Sequence, residues 1–203
     1  MSDSSNSFIE HLEFWFGKIE QGWRLFDERE PKASPKISVV KCHCGQVDGV
    51  TVASTVGLSH VQLHSPQTGK PIRQELFLMM KNGQFSPSAP AILKQVVEER
   101  VSSRHAIMRG DAIYRPGSFF EQRYVALYAT PSVYYPEGQW TFHDSIEGDI
   151  NLCWLLPLKT DELSYLKNYG WVEFERNLKA DFDLLDLDRP SILPNTKDRG
   201  EIR

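Results

Sequence analysis

The stretch INLCWLLPLKTDELSYLKNYG, Ile150 to Gly170, decides the architecture. INLCWLLPL is almost wholly apolar, the pattern of a strand covered on both faces and therefore central in a sheet. Pro157 has no N–H to give a neighbouring strand, so it fits where that strand is leaving the sheet. Thr160 can cap a helix, and Asp161 and Glu162 then fall in its first turn, where the helix dipole favours negative charge. Leu163 and Leu166 form the inner face, Lys167 lies near the end, and Gly170 supplies a left-handed stop. A turn from a central strand into a helix is a common place for an active site, but here each polar residue has a helix-forming role and none is a spare nucleophile or base.

Upstream, ISVVKC, GVTVAST and RQELFLMM carry the β-branched and apolar density of strands, with turn residues between them. DAIYRPG and RYVALYAT are further strand candidates. Phe8, Leu12, Trp15 and Ile19 recur at helical spacing, so a first helix is expected from Ser7, as cap, to Gly22. SPSAPAILKQVVEERVSSR is the clearest helix, with Ile92, Leu93, Val96, Val97 and Val101 in one stripe and Ser88 and Pro90 at its start. DEREPKASPK reads as an exposed connector and PEGQWTFHDSIEGD as a mobile surface loop. The expected class is α+β, or mixed α/β: a central mixed sheet flanked by helices, as a single domain over residues 1–203 with a frayed tail at 192–203.

Composition narrows the function. The 203 residues are 40% hydrophobic and 25% charged, with net charge −4. That balance gives no general drive toward nucleic acid or an anionic membrane, and a mild preference for a basic partner. The N-terminal segment lacks both a basic region and a continuous apolar run, so neither a signal peptide nor a membrane span is expected and the cytoplasm is the expected location. Cys42, Cys44 and Cys153 are too few for a disulfide framework and read as buried thiols.

Four clusters invite a chemical reading. Cys42 and Cys44 would lie on one side of a strand about 6.6 Å apart, but no second ligand pair completes a zinc site. His60 and His64, in an alternating HVQLH, would stand about 13 Å apart as a strand, too far to share an ion. GLSH at Gly57 to His60 lacks the second glycine of a nucleophile elbow, so Ser59 is better placed as a turn residue. DFDLLDLD, with Asp181, Asp183, Asp186 and Asp188, is dense in carboxylates but lacks the fifth-, sixth- and twelfth-position residues of a calcium loop. It reads as an acidic edge with Leu184, Leu185 and Leu187 packed inward, able to face a basic partner. Tyr134, Tyr135 and Trp140, in the densest aromatic stretch, are candidate contact anchors. No catalytic, cofactor-binding or metal-ligating set is assigned, and an enzymatic reading would have to use Cys42, His43, His60 or His105.

The strand, proline-leucine turn and acidic-started helix at Leu155 to Gly170 resemble the suppressor-of-fused domain. TVGLS at Thr55 to Ser59 is similar to that family's threonine-x-glycine-leucine-serine turn, and RQELFLMM to its glutamate-leucine strand. Pro90 to Ser102, followed by Gly110 and Asp111, resembles its middle helix and next strand, and Arg189, Pro190 and Ser191 its closing segment. The resemblance spans Phe8 to Ser191 in order. It implies a mixed sheet with packed helices and tight protein binding without catalysis or cofactor. Short members look like bacterial immunity proteins, so the partner it implies is a cognate toxin, for instance a nuclease. The animal regulator, which has a second large lobe not expected in this chain, implies instead a peptide-binding adaptor that accepts an extended segment at a sheet edge or cleft.

Overall fold

The computed structural model describes residues 3–26, 36–120, 122–136, 138–178 and 183–193. The connector expected at 27–36 thus lies almost wholly outside the described residues, as does the tail from 194. The elements run α1 (Asp3–Phe16), β1 (Gly17–Arg24), β2 (Ser38–Cys44), β3 (Val50–Val56), a 3-10 turn (Leu58–His60), β4 (Leu63–His64), β5 (Pro71–Lys81), α2 (Ser88–Ser103), β6 (Ala112–Phe119), β7 (Tyr124–Thr130), β8 (Thr141–Phe142), β9 (Ile150–Leu158) and α3 (Thr160–Glu175).

The strands join one mixed sheet in the order β1-β2-β3-β5-β9-β7-β6, with β4 beside β5 and β8 beside β9. The class expected from the sequence is the one observed. β9 is central, parallel to β5 and antiparallel to β7. Strand periodicity divides the core in two. Leu76, Leu78 and Met80 of β5 face α2, with Ile92, Leu93, Val96 and Val97 packed over them. Phe77 and Met79 face the opposite way, into the layer made by Phe8, Leu12 and Phe16 of α1 and Leu163, Leu166 and Phe174 of α3. Trp154 of β9, with no exposed surface, lies in that second layer.

Several expectations are corrected. The first helix begins at Asp3, so Ser7 lies inside it, and it stops at Phe16 instead of continuing to Gly22. Gly17 has φ +87°, and a Cβ on it would lie 2.0 Å from the His43 carbonyl oxygen. Residues 17–24 are therefore drawn off as an edge strand on β2. Lys159 takes the cap position expected of Thr160, and its N–H donates to the Glu162 carboxylate at 2.8 Å. Gly170 breaks α3 without ending it: its positive φ of 80°, with ψ 168°, is non-helical, and a further helical turn follows to Glu175. The segment expected as a mobile loop contains β8, whose Thr141 and Phe142 pair with Asn151 and Ile150. Ile192, placed in the tail by sequence, is buried at 5% exposure.

Candidate functional site

Two motifs of the sequence prove to be buried polar cages. The TVGLS turn closes on Glu75 of β5, whose side chain has no exposure. Its carboxylate accepts from Thr55 Oγ1 at 2.6 Å and from the backbone N–H groups of Gly57, Ser59 and Leu58 at 2.9, 2.9 and 3.3 Å. Glu162 of α3 is equally buried and forms a two-pronged ion pair with Arg189. Arg189 Nη2 also donates to the Pro157 carbonyl at 2.9 Å, and the Ile192 N–H donates to Glu162 at 3.0 Å. Both cages hold backbone in place, and neither opens to a ligand.

The thiols and histidines proposed for an enzymatic reading do not assemble. Burial pushes the Cys42 thiol up to about 12, with the Glu13 and Glu20 carboxylates adding to it, and desolvation pushes Cys153 up to about 12. Such thiols stay protonated at neutral pH and are poor nucleophiles. His43 meets Thr51 Oγ1 at 3.3 Å, His60 lies 3.7 Å from Glu147, and His105 sits on the bridge to His64. Among the described residues no group of three or more His, Cys, Asp or Glu could hold a metal ion. Nor, among them, is any helix long and apolar enough to cross a membrane.

The acidic edge folds back on its own chain. Leu184, Leu185 and Leu187 are buried as expected. Asp183 pairs with Lys81, and Asp186 meets Lys81 at 2.9 Å and the Gln84 amide at 2.8 Å. Asp188 pairs with Arg123 and accepts from Gln84 at 3.0 Å. Gln84, the Asp188 N–H and Lys81 together hold the Asp186 carboxyl down at about 2. Asp181 lies outside the described residues. The aromatic candidates are packed rather than displayed. Tyr135 is buried at 8% exposure, with its ring 5.6 Å from that of Trp140. Tyr134 is half-buried, and its hydroxyl accepts from the Leu184 N–H at 2.9 Å, tying the acidic edge to the aromatic stretch. Trp140 stacks on Phe77 at 6.2 Å and reaches a cleft.

That cleft, about 280 Å³, lies at the N-terminal ends of the parallel pair β5 and β9. Its walls include Ile72, Ile107, Met108, Pro131, Trp140 and Leu152, and its polar lining includes Gln74, Arg109 and Thr130. Gln74 is 1% exposed. Its Oε1 accepts from the Ile107 N–H at 3.0 Å, which fixes the orientation of the amide. The Nε2 donor has no partner among the described residues. Leaving such a donor unsatisfied costs about 1–3 kcal/mol, so an acceptor supplied from outside would recover that energy. The sequence carried a signal for this site: Gln74 and Glu75 are adjacent polar residues that lead directly into Leu76 to Met80, a run buried on both faces. Arg109 carried none.

The comparisons with known proteins agree with this architecture. A suppressor of fused homologue from Neisseria gonorrhoeae FA 1090 has a similar solved structure, with TM-score 0.71 and 17% identity over 95% of this chain and 98% of its own. The crystal structure of the Sufu-Fu complex contains a chain similar at TM-score 0.64 and 14% identity, covering 92% of this chain and 91% of that one. Drosophila Suppressor of Fused matches at TM-score 0.64 and 16% identity over 92% of this chain, which spans 50% of the fly protein's. A search of curated proteins finds no match. The family model "Suppressor of fused protein (SUFU)" matches residues 34–190. Both caged carboxylates and the cleft lie within that range, and the chain belongs to the suppressor of fused protein family.

Proposed function

We propose that this chain is a non-enzymatic protein-binding domain of the cytoplasm that neutralises a toxin protein by binding it, with one partner residue inserted in the cleft beside Gln74. The unpaired Gln74 Nε2 donor in a cleft walled mostly by apolar side chains is the observation that carries the reading. A donor at the floor and apolar walls fit a compact apolar side chain with an adjacent carbonyl. A net charge of −4 favours a basic partner, as the substrate-binding surface of a nuclease is. The thiols held at about 12 support binding over covalent catalysis.

Co-expression with the product of the neighbouring gene tests this. The wild-type chain should suppress that product's toxicity, and Gln74→Glu should not, since the variant keeps an acceptor for the Ile107 N–H but loses the free donor. A neighbouring product that is harmless, or toxicity that the wild-type chain leaves unchanged, overturns the toxin reading.

The second reading, an adaptor for an extended peptide, is favoured by the fold's likeness to the Sufu-Fu complex chain. Its route would be the cleft rather than a sheet edge. β1 breaks register between Ile19 and Gln21 and carries Lys18 and Glu20, while β6 includes Pro116 and breaks register after Tyr114. Irregularities and charges of this kind block strand addition. An adaptor should bind a short linear peptide of the partner as tightly as the folded domain, and an immunity protein should not.

A further inference from the structure

The turn of α3 beyond Gly170 reaches the mouth of the cleft. Trp171 lies against Gly110, and the Arg109 guanidinium stands 5.3 Å from the Trp171 ring centroid. Four residues on, Glu175 is 13% exposed and gathers three donors. It accepts from Tyr128 Oη at 3.0 Å, from Thr130 Oγ1 at 3.1 Å, and from Arg109 through Nε and Nη2. Two of these three, Arg109 and Thr130, line the cleft. The fork on Glu175 uses Arg109 Nε and Nη2 and leaves Nη1 outside it. Burial and then the Glu175 carboxylate push the Tyr128 hydroxyl upward, so it stays protonated and donates to Glu175.

We propose that Glu175 is the positioning residue of the cleft: it fixes the Arg109 guanidinium at the mouth, so that Arg109 supplies a second donor, beside that of Gln74, to a carbonyl-bearing segment of the partner. This inference rests on the protein-binding reading of the cleft and adds the chemistry of its occupant. A segment with one compact apolar side chain and a carbonyl on either side of it matches a donor at the floor and a donor at the mouth. A planar guanidinium held from one edge by a carboxylate is pre-organised, which spares an incoming acceptor the cost of ordering it.

The test uses N-acetyl-leucine-N-methylamide as probe, followed by the Gln74 side-chain amide resonance, with Glu175→Gln, Arg109→Gln and the double variant. Glu175→Gln keeps an acceptor for Tyr128 and Thr130 and loses the charged fork. Each single variant should weaken the probe by about tenfold, the effect of one hydrogen bond to a charged group, and the double variant no further. Without probe, the Met108 and Gly110 amides should exchange about tenfold faster in Glu175→Gln, while those of Val96 and Val97 in α2 are unchanged. Single effects that add in the double variant overturn the inference, as do Met108 and Gly110 amides that exchange at the wild-type rate. A probe that fails to bind the wild-type chain sinks the cleft reading instead, and the amide exchange still decides whether Glu175 orders the mouth.

Discussion

Glu75 and Glu162 are both carboxylates with no exposed surface, and they are held in opposite ways. Glu75 is paired with no cation among the described residues: a hydroxyl and three backbone N–H groups surround it, all from the end of β3 and the turn that follows it. Glu162 is matched by the buried guanidinium of Arg189, and its contacts join α3 to a segment beyond it in the chain. The first shapes a local turn with neutral donors. The second fastens the end of the described chain with a charge pair, so the two should fail differently when broken.

The largest effect is expected at the charged cage. Glu162→Ala leaves Arg189 buried and unpaired, at a cost of about 3–5 kcal/mol, read as a lower urea midpoint. Adding Arg189→Met should recover much of that loss, because the stranded cation is then gone. If the double variant is no more stable than Glu162→Ala, the pairing is not what Glu162 contributes. Next is Glu75→Gln, which turns an amide donor toward backbone donors and should cost about 2–3 kcal/mol. Faster exchange should be confined to the amides of Gly57 to Ser59, with the Ile192 amide unaffected, and loss of protection at both cages together would erase the contrast. The smallest effect belongs to a half-buried carboxylate. Asp186 has a folded-state value of about 2 against an ordinary 3.8, so its contribution is complete above about pH 4 and is lost as pH falls through about 2. Contacts of the acidic edge with Lys81 and Gln84, followed by NMR, should loosen across that window. Asp186→Asn should remove the pH dependence while leaving stability at neutral pH almost unchanged, since solvent screens the pair.

How far the sequence could be read follows from the range of the forces involved. β5, β7 and β9 were legible because each is an apolar run buried on both faces, and α2 because its stripe has one period throughout. β1 was not: Ile19 falls four residues after Trp15 and extends the helical pattern, and only pairing with β2 diverts the chain at Gly17. Two-residue β8 leaves no periodic trace. The acidic edge was visible as charge, but Lys81, Gln84 and Arg123, which engage it, are distant in sequence, so its engagement within the chain could not be seen. The cleft is assembled from β5, the 107–109 turn, the end of β7 and β9, and the polar Gln74 beside Glu75 is its one local trace.

The place of β9 has a consequence for how the chain folds. It is the last strand among the described residues, yet it lies between β5 and β7, and its register pairs Ile150 with Arg73, 77 residues earlier. Until β9 is synthesised and inserted, two halves of a sheet each present an apolar edge with open N–H and C=O groups, a template for pairing with other chains. Such non-local closure is slow, because a long loop must be ordered before any contact rewards it. A ribosome pausing before residue 150 would hold a nascent chain at its most aggregation-prone stage, and its release would depend on one strand arriving in the middle.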